Sequence, residues 1–139
     1  MATRSIPFIL CGRTPQIAKA VREGVAPEYH VPHTFLSLED AKSNIPPLLS
    51  PTNPSRPVAV VLGGGFDDAM FAEIKEACDT AQGGKEVAWL RTDITGKVEM
   101  PDMNDREAYG KAMGARLKRG LEGLGVGREE GVKGGVHFF

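Results

Sequence analysis

The sequence is short of the features that announce a chemistry. Cysteine occurs twice, at Cys11 and Cys78, which excludes a disulfide framework and makes a reducing cytosol the expected setting. Charge of either sign is not in excess: the formal net charge is −1, so there is no broad pull toward nucleic acid or an anionic membrane. No apolar run approaches the roughly 20 residues of a membrane span. Residues 6–11 are too short an apolar run for a signal peptide and are followed at once by Gly12-Arg13-Thr14-Pro15. There is no G-x-G-x-x-G and no Walker lysine motif. Histidine is limited to His30, His33 and His137. His30 and His33 lie three apart on one strand, so strict alternation points them to opposite faces and no chelating pair is expected.

What the chain has in quantity is glycine and proline, 17 and 10 of 139 residues, and many fall between periodic segments, as turn residues do. Two glycine-bearing turns stand where an apolar run hands over to a helix. The first is Leu10-Cys11-Gly12-Arg13-Thr14-Pro15; the second is Leu62-Gly63-Gly64-Gly65-Phe66-Asp67. A strand that ends in glycine and opens a helix is the connection of open α/β sheets, whose ligands settle beyond the carboxyl ends of the strands.

Residues 6–10 read as the first strand, a continuous apolar run covered on both faces. Thr14 at the N-cap and Pro15 at the first helical position start a helix whose apolar positions are Ile17, Ala20, Val21 and Gly24. Residues 29–35 form a second strand, placed at a sheet edge by Pro32, which lacks a ladder donor. Ser37 with Asp40 opens a short helix expected to stop before Pro46-Pro47. The proline-rich residues 46–57 are a loop, and residues 58–62 are the third strand. Asp67 or Asp68 caps the next helix, with Met70, Phe71, Ile74, Ala77, Cys78 and Ala81 as its stripe and Gly83-Gly84 as its stop. Residues 86–91 are the fourth strand, and a polar connection with a turn at Thr95-Gly96 follows. Asn104, with Glu107 as box partner, is expected to cap the last helix, whose stripe runs from Tyr109 through Met113, Leu117 and Leu121 to Leu124.

The alternation of strand and helix predicts a three-layer αβα sandwich of Rossmann or flavodoxin type. Its parallel sheet has four strands in the order 2-1-3-4, or five if the tail joins. Residues 1–125 form one such domain and residues 126–139 a glycine-rich tail. The winding direction reverses between strands 1 and 3, so Gly12, Arg13 and Thr14 face Gly63, Gly64, Gly65 and Phe66 across one crevice. Arg91 and Asp93 end strand 4 at the same edge and complete the candidate set: substrate contacts, or an exposed ion pair. The tail, ending Val136-His137-Phe138-Phe139, reads either as disordered or as an added strand on the strand 4 edge.

An anion suits the first turn. A helix start presents free N–H groups and the positive end of its dipole; Arg13 adds a planar fork and Thr14 a hydroxyl. Asp67 and Asp68 suit a capping role, or contact with a ribose hydroxyl or a cation, better than a phosphate. Cys11 stands where low-molecular-weight phosphotyrosine phosphatases and sugar phosphotransferase B-components carry a cysteine. The phosphatases need an arginine six residues on, where this chain has Ile17, and the phosphotransferase loop is rich in Ser and Thr, where only Thr14 qualifies. A half-buried structural cysteine fits better. A receiver domain would need acids where Cys11-Gly12 and Leu62-Gly63 stand, and a flavodoxin a Thr/Ser-rich loop where Arg13-Thr14-Pro15 stands.

On the stretches LCGRTPQIAKAV, PEYHV, VLGGGFDD and VAWLRTD, the chain resembles small uncharacterised fungal proteins with a single Rossmann-like domain. The resemblance implies the fold and no reaction. Related dinucleotide folds imply NADP or another nucleotide as a cofactor. The glycine fingerprint departs from their pattern, and the second strand ends in His33-Thr34-Phe35 without a ribose-binding acid, which suits a 2′-phosphate better than a bare ribose. Two readings follow. One is a cytoplasmic binder of a small phosphorylated ligand or nucleotide. The other is a non-catalytic interaction protein that forms a homodimer or a partner complex through the sheet edge, last helix or tail. No catalytic residue and no metal ligand is assigned, and neither nucleic acid nor membrane is expected as a partner.

Overall fold

The computed structural model describes residues 5–50, 52–53, 56–63, 65–80, 87–93, 102, 104–126 and 134–139. Among them strands and helices alternate: β1 (Ile6–Cys11), α1 (Pro15–Val25), β2 (Tyr29–Phe35), α2 (Leu38–Leu48), β3 (Ala59–Leu62), α3 (Asp68–Asp79), β4 (Ala88–Arg91), α4 (Arg106–Leu124) and β5 (Val136–Phe138). The sheet has the order β2-β1-β3-β4-β5, and every pairing is parallel. This is the three-layer α/β architecture of Rossmann and flavodoxin-like folds, with the crossover between β1 and β3 in its middle.

The strands alternate their side chains between two cores, which is why they read as unbroken apolar runs. Phe8 and Leu10 of β1, Val61 of β3 and Leu90 of β4 face α1 and α4, whose Val21, Val25, Leu117 and Leu121 complete that layer. Ile9, Cys11, Val60, Leu62 and Trp89 face the other way, onto Ile45 and Leu49 beside Ile74 and Cys78 of α3. Trp89 is 2% exposed and meets Phe71 edge-on at 5.7 Å.

Three expectations need correction. The helix begun at Ser37 does not stop before Pro46-Pro47; α2 runs on to Leu48. The prolines stand in its last turn, and Leu49, fully buried, anchors that turn to the core while its N–H bonds Pro46 O at 3.2 Å. The cap of α4 is Asp105, whose carboxylate accepts from Ala108 N; Asn104 instead donates its own N–H to Asp102 Oδ1. His30 and His33 do not split across the sheet. The ladder slips between Pro7 and Ile9, so His30 registers with Pro7 and His33 with Ile9, two residues of one β1 face. Pro32 stands at that slip, on the edge strand where a missing donor is tolerated.

The tail answers its open question by joining the sheet. β5 runs along β4, Trp89 N donating to Gly135 O and Phe139 N to Arg91 O. Ala81, the stop at Gly83-Gly84, Glu86 and the turn at Thr95-Gly96 lie outside the described residues, as do residues 127–133 of the tail.

Candidate functional site

At the carboxyl ends of β1 and β3 a cavity of about 350 Å³ opens on the α1/α4 side of the sheet. Its mouth is formed by both glycine turns: Gly12, Arg13 and Thr14 from the first, Gly63 and Gly65 from the second. Its body lies between the helices, walled by Ile17 and Val21 of α1, Tyr109, Met113 and Leu117 of α4, and Phe139. This is the position where α/β sheets take ligands, because the helices diverge from the crevice at the reversal of winding.

The start of α1 differs from that of the other helices. Ser37, Asp67 and Asp105 accept N–H bonds at the starts of α2, α3 and α4, and each of those helices has an acid in its first turn. Thr14 holds the N-cap position of α1 with extended backbone but makes no side-chain cap bond, and the first turn of α1 has no acid. The expected capping role of Thr14 is therefore unfilled. Its hydroxyl and the uncapped N–H groups stand at the cavity mouth, and the positive end of the helix dipole is uncompensated.

Arg13 ties the two turns together. A Cβ built on Gly65 would lie 2.5 Å from Arg13 Cγ, so the absence of a side chain at Gly65 is what lets the arginine stem cross the second turn. Among the described residues no carboxylate pairs with Arg13. The neighbouring glycines have simpler roles. A Cβ on Gly12 would meet nothing within 4 Å, and Gly63 N bonds Cys11 O at 2.8 Å, joining the ends of the two central strands.

The other candidate residues go elsewhere. Gly64 lies outside the described residues. Phe66 is 3% exposed and packs into the α2/α3 core. Arg91 registers with Leu62, on the face away from the cavity. Its guanidinium bonds Asp68 at 2.6 Å and lies over the rings of Phe71 and Phe138. Asp93 enters through its backbone: its N–H donates to Phe139 O and its carbonyl accepts from Arg116 Nη2, both at 2.7 Å.

Three residues beside the cavity escaped the sequence reading. Thr92 lines it, with its hydroxyl donating to Leu62 O at 3.0 Å. Phe139 closes it. Arg116, only 7% exposed, donates to both Asp93 O and Phe139 O and so clamps the tail onto the end of β4. The signal for Arg116 was present: it stands three residues after Met113 and seven after Tyr109, inside the apolar stripe of α4, where a solvated arginine has no place. Nothing local marks the other two, because their roles arise from pairing across the sheet.

Cys11 is no nucleophile. Its side chain is fully buried in the α2/α3 core, and burial, aided by nearby Cys78, pushes the thiol up to about 12. Cys78 is likewise pushed up to about 12 by burial and the neighbouring Asp79. A reactive thiolate needs the opposite environment. Among the described residues no group of three or more His, Cys, Asp or Glu side chains is placed to hold a metal ion, and no helix is long and apolar enough to cross a membrane.

No protein-family model matches the chain, and no solved structure matches it. A curated protein does. Kojic acid related protein 6 of Aspergillus oryzae (strain ATCC 42149 / RIB 40) is 38% identical over 144 residues, covering 96% of this chain and 86% of that protein. At that identity and coverage this protein belongs to the same fungal family as Kojic acid related protein 6.

Proposed function

We propose that this protein is a binding module for a small molecule carrying a phosphate or similar anionic group, held in the crevice between the two glycine turns. The observation that carries the reading is the meeting of a cavity of about 350 Å³ with Arg13, Thr14 and the uncapped, acid-free start of α1. An anion there takes backbone N–H groups, the helix dipole and a guanidinium fork together. Nucleotides, NADP among them, are the ligand class that the fold suggests. Binding is the function proposed, because the cavity and the anion-binding groups at its mouth support it directly.

A second reading rests on a separate observation. β5 is the outer strand of the sheet, and its Val136 and Phe138 are 39% and 62% exposed. An open edge with apolar side chains supports association with a second copy of the chain or another protein.

A thermal-shift screen with NADP, NAD, FMN, ATP, sugar phosphates and inorganic phosphate tests the first reading. A ligand at a hundred times its dissociation constant stabilises by about 2.7 kcal/mol, or about 10 °C at this chain length. The shift should vanish in Arg13→Ala. No shift with any of these compounds sets nucleotides and sugar phosphates aside; no shift with phenyl phosphate either moves the function to the β5 edge, where the oligomeric state is the measurement.

A further inference from the structure

The two halves of the cavity differ in chemistry. Among the described residues that line it, Arg13 alone carries a formal charge on its side chain, and it stands at the mouth. The interior is hydrocarbon and aromatic: Ile17, Val21, Met113, Leu117 and Phe139. Among the described residues no carboxylate or amide side chain lines it, and the hydroxyls there are those of Thr14, Thr92 and Tyr109, of which Thr92 already donates to Leu62 O.

A body rich in hydroxyls, such as ribose, would leave water and find few partners there, and each group left unsatisfied weakens binding. An apolar body gains from leaving water in proportion to the area buried. The volume, about 350 Å³, is also at the small end of the roughly 300–1,000 Å³ of ligand pockets. It has room for one ring and its substituents.

Resting on the reading of the crevice as a ligand site, we propose that its ligand is a single anionic group on an apolar, ring-sized body. The anion sits at Arg13 and Thr14. The body lies between Ile17 of α1 and Met113 of α4, against Phe139. Arg13 is held for this by its seat on Gly65, where a Cβ would come within 2.5 Å of its stem. Dinucleotides and sugar phosphates fit this chemistry poorly.

The test is a titration of the full chain, followed by amide chemical shifts, with four probes: phenyl phosphate, phenylacetate, ribose 5-phosphate and inorganic phosphate. Phenyl phosphate or phenylacetate should move amides in residues 12–18 and 113–117. Either should bind at least tenfold more tightly than ribose 5-phosphate or inorganic phosphate. Met113→Trp, which fills the cavity, and Arg13→Gln, a change at an exposed side chain, should each weaken that probe at least tenfold. If Met113→Trp does not fold, Arg13→Gln decides: unchanged affinity overturns the anion assignment. Ribose 5-phosphate binding as tightly as phenyl phosphate, on the same amides, overturns the apolar body and leaves the ligand site standing. If no probe moves those amides, both readings fail.

Discussion

Gly24 of α1 and Gly114 of α4 touch backbone to backbone: a Cβ on either would lie 3.3 Å from the other's Cα. One turn earlier on α4, Gly110 sits against Ala20 and the carbonyl of Ile17. These contacts let the two helices approach closely, backbone to backbone at Gly24 and Gly114. They hold Ile17 and Met113 at facing walls of the cavity.

This contact makes two glycine substitutions on one helix act in opposite directions. In Gly110→Ala the new methyl would lie 2.4 Å from Ala20 Cβ and 3.2 Å from Ile17 O. Overpacking of about 1–3 kcal/mol then outweighs the roughly 1 kcal/mol gained in helix propensity. Gly123→Ala meets nothing within 4 Å, so it should stabilise by about 0.5–1 kcal/mol. Urea unfolding of the pair checks both signs, and equal signs would contradict the packing described.

The clamp on the tail is open to a similar measurement. Arg116→Met keeps the apolar stem of the side chain but takes the donor from Asp93 O and Phe139 O. It should cost about 1–3 kcal/mol and speed hydrogen exchange at the Asp93 and Phe139 amides. Deleting residues 135–139 goes further and uncovers the edge of β4 at Trp89 and Leu90. Aggregation or a changed oligomer is expected, and an unaltered elution profile would show that the edge needs no cover.

Both thiols should be silent in the folded protein. At neutral pH a disulfide reagent should find no fast-reacting cysteine, and it should find both after denaturation. Their pH dependence follows from the direction of the shifts. Folding raises Cys11 and Cys78 from an ordinary 9.0 to about 12. The stability tied to the protonated thiols is therefore complete below pH 9 and is lost as pH rises toward 12. Denaturation midpoints across that window should fall, and less steeply in Cys11→Ala.

At the acid end the pair of Glu28 and Lys118, which joins the turn after α1 to α4, has a smaller effect. The hydrogen bond from Lys118 lowers the carboxyl of Glu28. Its contribution is present above the ordinary carboxyl range and is lost as pH falls through the lowered value. Glu28→Gln should flatten the acid limb of a stability profile by lowering the plateau near neutrality, and only slightly, because Glu28 is exposed and the half-buried Lys118 keeps contact with water.

Helix capping offers a local check. Asp67 accepts the N–H of Met70 at 2.9 Å, and Asp67→Ala should cost about 1 kcal/mol. Thr14→Ala should cost much less, because Thr14 makes no capping bond. A larger loss for Thr14 would mean that its hydroxyl serves the helix and not the cavity mouth.

The sequence by itself determined the alternation of strand and helix, the parallel sheet and the order of its first four strands. Each is written in local signals: apolar runs at residues 6–10 and 58–62, prolines at edges and turns, caps at Ser37 and Asp67. It also determined that the two glycine turns share one crevice, because that follows from chain order and the handedness of the crossovers. The structure alone decided which face of the sheet each candidate serves. Phe66 and Arg91 are a few residues from the cavity in sequence and on the far side of the sheet in space, because strand register, not sequence distance, sets the side. It alone decided that α2 continues through Pro46-Pro47, where tertiary burial of Leu49 outweighs the local cost of proline. The walls of the cavity are likewise a tertiary product. Ile17, Met113 and Phe139 come from three distant segments, and only the close approach of α1 to α4 and the pairing of β5 with β4 put them around one space.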